Sequence, residues 1–183
     1  MRALVWIFVL LGLHGTAFAQ LSAESPARTE ASPTLKRPGS AGLSRGVNFG
    51  NMLEGPFEGA WGLTVEEVFF DKAVEANMDH IRLPVSWTHH TGDASPYPID
   101  PDFMDRVAWC LDQAAARGLK TILNVHHYDE LNADPVGERA RALAMWQQIA
   151  TRFADRPEAG PGAVYFEVLN EPHGAFDADT TLW

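Results

Sequence analysis

The feature that most restricts what this chain can fold into is an alternation. Four apolar, β-like runs, RGVNF (45–49), HIRLPV (80–85), LKTILNVHH (119–127) and AVYFEVLNEP (163–172), are separated by segments whose apolar residues recur at helical spacing. Strands alternating with helices imply parallel βαβ units, because a parallel neighbour is reached only by a long crossover. The domain is therefore α/β, with four such units in about 140 residues.

The helices carry their own start and stop signals. The first is predicted over Val65 to Met78, opened by a capping box of Thr64 and Glu67, with Val65, Val68, Phe69, Ala73 and Ala76 as its buried stripe. The second opens at Asp100-Pro101, an N-cap acceptor followed by a residue with no N–H to leave unpaired. Its stripe is Phe103, Val107, Cys110, Leu111 and Ala114, and Gly118 ends it. Asp134-Pro135 repeats the opening signal for a helix that buries Leu143, Trp146, Ile149 and Phe153, and a fourth helix is expected after Asp179 and Thr180.

Each strand is apolar in its middle and polar at its C-terminal end, where Asn48, Arg82, His126 and the pair Asn170-Glu171 stand. Ligands bind at that rim in a (β/α)8 TIM barrel. A doubly wound open sheet has the same polarity, and the pattern alone leaves both open. No Gly-rich phosphate loop follows the first strand, however, which disfavours the open sheet. A full barrel takes eight units and about 250 residues, so the four seen here amount to half of one.

The flanking segments add context. Residues 1–19 have an arginine, a run of about ten apolar residues and Ala17-Phe18-Ala19, the pattern of a cleaved signal peptide, so a secreted protein is expected, extracellular or periplasmic. Residues 20–42 are rich in proline and small residues and read as a linker, leaving 43–183 as the folded domain. The net charge of −10 argues against nucleic acid or an anionic membrane as partner. The single cysteine, Cys110, falls on a helix stripe and reads as a buried thiol.

Taken together, VYFEVLNEPH, GVNFGN, HIRLPVSW and LNVHHY resemble, in order and spacing, the strand ends of glycoside hydrolase family 5, the cellulase family of retaining β-glycanases with (β/α)8 barrels. The resemblance runs from Leu43 to Trp183 and marks the chain as the N-terminal half of such a catalytic domain. It implies Glu171 as general acid/base, Asn170 as its neighbour on the sugar 2-hydroxyl, Arg82 as the arginine that keeps the nucleophilic carboxylate ionised, and His126 as the histidine under the sugar. Asn48, Trp87, His127 and Tyr128 join them as substrate-binding candidates, although Trp87 serves barrel packing equally well. The family's nucleophile is a glutamate at the end of the seventh strand, which places it beyond residue 183. The implied reaction needs no cofactor, its substrate is a β-1,4-glucan or related polysaccharide, and the full-length protein is expected to be a monomer.

A retaining glycosidase holds its two carboxylates about 5 to 5.5 Å apart. Glu167, four residues before Glu171, would lie roughly 13 Å away on an extended strand, so it reads as structural and in need of a cationic or hydrogen-bonding partner. Pro172 is expected to hold Glu171 extended. Glu54, Asp129 and Glu130 fall in rim loops. The pairs His89-His90 and His126-His127, with His173, suggest metal ligands, but adjacent residues on a strand face opposite ways, so no metal site is expected while strand geometry persists. The alternative to an enzyme is an inactive or carbohydrate-binding remnant, since four strands leave two open sheet edges.

Overall fold

The computed structural model describes residues 42–179 and 181. The expected signal peptide, nearly all of the linker and Thr180 lie outside these residues. Four strands, β1 (Gly46–Asn48), β2 (His80–Leu83), β3 (Lys120–Asn124) and β4 (Val164–Glu167), form one parallel sheet in the order β1-β2-β3-β4. The crossovers carry α1 (Glu67–Glu75), α2 (Pro101–Ala116) and α4 (Arg139–Arg152), while the short α3 (Asp129–Ala133) and α5 (Ala175–Ala178) sit in the loops after β3 and β4. These are the first four βα units of a TIM barrel.

Register divides the sheet into two unlike faces. Ile81 pairs with Val47 and Thr121, and Leu83 with Leu123, so these side chains share one face with Val164. Ile81, Leu83 and Leu123 are fully buried there among the apolar side chains of the core. Fully burying an aliphatic side chain of this size stabilises a fold by about 1.5–3 kcal/mol. The other face carries Asn48 beside Arg82 and Asn124 beside Glu167, residues that alternate with the apolar set because strand side chains have a period of two.

Helix α2 follows its sequence signals closely. The Asp100 carboxylate accepts from Asp102 N–H at 2.9 Å, Pro101 is the first helical residue, and the expected stripe is buried from Phe103 to Ala114. Gly118, just past the C-cap, has φ +72, a conformation that a side chain would strain. Cys110 is buried and unpaired, and burial pushes its thiol up to about 12.

The other two crossover helices depart from expectation. Helix α1 starts at Glu67 without a side-chain cap, so the Thr64/Glu67 capping box does not form. Glu58 takes its place: its Oε1 accepts from Val65 N–H at 2.7 Å while Arg106 donates to both Glu58 oxygens at 2.8 Å. Of the expected stripe, Val65 and Ala73 are buried and Phe69 partly so, whereas Val68 is 45% exposed and Phe70 is buried instead. In the third crossover, Asp134-Pro135 does not open the helix. Asp134 instead closes a turn by accepting from Gly137 N–H at 2.9 Å, and α4 begins at Arg139. Met145 and Ile149 are its buried residues, whereas Leu143 is 60% exposed on the open side of the fold. Among the described residues no helix is long and apolar enough to cross a membrane.

Candidate active site

The polar row on the open sheet face converges on one guanidinium. Arg82 donates from Nε to Glu167 Oε2 at 2.8 Å and from Nη2 to Glu167 Oε1 at 2.6 Å, a two-point fork that matches carboxylate geometry. Nη2 also reaches Asn170 Oδ1 at 2.8 Å, and Nη1 reaches Asn48 Oδ1 at 3.0 Å. Both asparagines therefore present their amide oxygens to Arg82 and keep their NH2 groups for another acceptor. The Arg82 hydrogen bonds, helped by Asn124, hold the Glu167 carboxyl below its ordinary range, and the same bonds raise Arg82.

Glu167 thus has the cationic partner that the sequence required of it. Distance is not the deciding argument, because strand β4 ends at Glu167 and the extended spacing does not continue to Glu171. Among the described residues Arg82 touches no second carboxylate by hydrogen bond, and the bonds it makes fix Asn170 and Asn48.

Glu171 is exposed at the rim and has φ +42. The expectation that Pro172 holds it extended is therefore corrected: the backbone turns left-handed just before the proline. Asn51 and His127, in the loops after β1 and β3, share this unusual conformation at φ +64 and +52. Such residues cost of order 1–3 kcal/mol each and cluster where side chains must be aimed. The turn at Glu171 breaks the alternation by which Asn170 and Glu171 would face opposite ways on a regular strand.

The histidines follow the same logic. Strand β3 ends at Asn124, so His126 and His127 are not bound to opposite faces; their rings meet edge to face at 4.5 Å. Asn124 Nδ2 donates to His126 Nδ1 at 3.2 Å and to Glu167 Oε1 at 3.1 Å, which places the neutral ring's proton on Nε2. Burial, with the nearby His127 and Arg82, lowers His126 to about 4. Half-buried His126 is thus a neutral donor.

Of the substrate-binding candidates, Trp87 takes the packing alternative and Tyr128 is corrected. Trp87 is fully buried, packs edge to face on Phe103 at 5.8 Å and donates Nε1–H to Asn124 O at 3.0 Å, so neither ring face is open to a sugar. Tyr128 is 1% exposed and spends its hydroxyl on Glu138 at 2.8 Å. His89 and His90 lie in a 3-10 turn, Trp87–His90, where His90 stacks on Phe103, while His173 is exposed beside Glu171. The exposed aromatic at the site is Trp61, 48% open and edge to face with His127 at 5.8 Å. Trp61, Glu54, His127 and Arg141 line a polar cleft of about 540 Å³.

Sequence reasoning missed Trp61, Asn51 and Asn124. Asn124 left the clearest trace, an amide inside the apolar run TILNV.

Residues 44–183 match the cellulase family, glycosyl hydrolase family 5. The chain belongs to this family. Endoglucanase H of Acetivibrio thermocellus is 40% identical over 132 residues, covering 72% of this chain and 14% of that protein. The solved endoglucanase Cel5A of Thermotoga maritima is 45% identical with a TM-score of 0.70, covering 73% of this chain and 42% of its own. Its complex with mannotriose is 43% identical, again with a TM-score of 0.70. The chain spans less than half the length of these relatives. Within family 5, the sheet order and strand ends described above belong to the barrel's first four units.

Proposed function

We propose that this chain supplies the acid/base half of a retaining glycosidase acting on β-1,4-glucan. The observation that carries the reading is the Arg82 hub, which fixes Asn170 with its NH2 group free immediately before a rim carboxylate, Glu171. In the first step protonated Glu171 gives its proton to the glycosidic oxygen as a second carboxylate attacks the anomeric carbon and the C–O bond breaks. In the second step Glu171 takes a proton from water, which displaces the carboxylate and restores the β-configuration. Asn170 and neutral His126 donate hydrogen bonds to sugar hydroxyls, as does Asn48 from its own NH2 group. Exposed Trp61 offers the apolar face that pyranose rings stack on.

The second carboxylate belongs to a later strand than the four described. The protein is secreted, acts as a monomer and needs no cofactor. Glucan is preferred as substrate because the relatives are endoglucanases; mannan and xylan are alternatives that the remaining loops decide, and Cel5A has been solved with mannotriose as well as cellobiose. The test is the stereochemistry of cleavage by the barrel that carries this chain, followed by proton NMR. Early accumulation of the β-anomer from β-1,4-glucan supports the reading, and early α-anomer overturns double displacement.

A second reading, an inactive or carbohydrate-binding remnant, is favoured by the apolar residues on the open side of the fold, Val136, Leu143 and Val168, at 60–72% exposure. It predicts sugar binding without turnover by the 183-residue chain. Turnover of soluble β-glucan by that chain alone would contradict it, together with the view that a second carboxylate must come from a later strand.

A further inference from the structure

The loops after β1 and β3 bring three metal-ligating side chains to one point. Glu54, His126 and His127 each offer a ligand atom, and these atoms all lie within 4.8 Å of one another. The expectation that adjacent histidines cannot chelate one ion holds only while strand geometry persists; that geometry ends at Asn124, and with φ +52 at His127 the two rings meet.

A second, independent observation points to a ligand. Glu54 is 7% exposed, yet its Oε2 finds no hydrogen-bond partner. A buried carboxylate oxygen left unpaired is costly, and such an atom usually faces an ion, a water or a bound group. The Glu54 carboxyl accepts a hydrogen bond from the Asn51 backbone, and His127 and Arg82 act on it through their charge. Arg82 already gives its hydrogen bonds to Glu167, Asn48 and Asn170.

We propose that Glu54, His126 and His127 form a binding site for a divalent transition cation of the zinc type. Two imidazoles and one carboxylate are the donor set that suits Zn2+, with a fourth position left for water; harder ions such as Mg2+ and Ca2+ prefer all-oxygen shells. Small side-chain rotations bring donors spread over 4.8 Å onto the roughly 2.0–2.2 Å bonds that zinc requires. Ligation through His126 Nε2 moves that ring's proton to Nδ1, so the 3.2 Å contact from Asn124 is given up while Asn124 keeps its bond to Glu167. The ion gives Glu54 Oε2 the partner it lacks. Because Glu54 and His127 line the polar cleft and His126 is a proposed sugar donor, a bound ion obstructs substrate there; this consequence alone rests on the glycosidase reading.

The test is direct binding, which needs no activity. The purified chain is titrated at pH 7.5 with Co2+, read by visible absorption, and with Zn2+, read by calorimetry. One equivalent of each is expected, with a visible band of four- or five-coordinate cobalt that Zn2+ abolishes. Glu54→Gln and His127→Ala should each weaken Zn2+ binding at least tenfold, since even second-shell partners of metal ligands are worth about 10- to 100-fold. His127 is exposed, so its variant keeps the fold if Glu54→Gln does not. His89→Ala, altering a histidine outside the trio, should bind as the parent does. Absence of the cobalt band, or Zn2+ affinity unchanged in His127→Ala, overturns the site.

Discussion

Glu167→Gln separates a structural carboxylate from a chemical one. The substitution keeps the size of the side chain and one acceptor oxygen but removes the charge that faces Arg82. Two charge-assisted hydrogen bonds, at 2.8 and 2.6 Å, lose their anion, and Asn124 loses a charged acceptor at 3.1 Å. The side chains of Arg82 and Glu167 are 25% and 33% exposed. Breaking a fully buried pair costs about 3–5 kcal/mol and a surface pair at most about 1 kcal/mol. Solvent screening at this exposure, and the bonds Arg82 retains to Asn48 and Asn170, place the expected cost at about 2 kcal/mol. With a urea slope of about 1–3 kcal/mol per molar for a domain of this size, the midpoint of unfolding should fall by about 1 M at pH 7. Urea titration followed by far-ultraviolet circular dichroism reads this shift. Glu171→Gln, at an exposed rim position, should move the midpoint little. Equal midpoints for Glu167→Gln and the parent would refute the clamp, and with it the argument that Arg82 orients Asn170.

Three further predictions follow from the same geometry. Burial keeps His126 neutral down to about pH 4, whereas an unfolded histidine protonates near 6.5, so between these values the unfolded chain binds more protons and stability falls as the pH drops; His126→Asn should flatten that part of the pH dependence of the urea midpoint. Trp87→Ala should cost about 3–5 kcal/mol by leaving a cavity against Phe103, read as a loss of thermal stability, whereas Trp61→Ala should barely change stability. Cys110, buried with its thiol pushed up to about 12, should resist Ellman's reagent in the native state and react once the chain is unfolded in urea.

Much of this fold was legible because periodicity and end signals act locally. Asp100-Pro101 and Gly118 bracket α2 with no help from the rest of the chain. The reading failed where another contact took over the end signal: Glu58, held by Arg106 from α2, displaced the Thr64/Glu67 capping box, and Asp134 closed a local turn with Gly137 where it was expected to open a helix. The site divides in the same way. Strand-end polarity pointed to Asn48 and Arg82, which pair in the parallel register, and to Asn170, which Arg82 holds by a hydrogen bond. The direction of side chains beyond the strand ends was not legible, because it depends on backbone turns such as φ +52 at His127 and φ +42 at Glu171. The convergence of His126 with Glu54 was hidden on this account.

The central claim is that Glu171 gives a proton to the glycosidic oxygen and later takes one from the attacking water. Its most direct test is the turnover number of Glu171→Gln on unactivated β-1,4-glucan, in the barrel that carries this chain, measured by release of reducing ends. General acid/base catalysis contributes about 10²- to 10⁴-fold, so a loss of that size is predicted, with KM changed far less. A turnover number within twofold of the parent's would contradict the account.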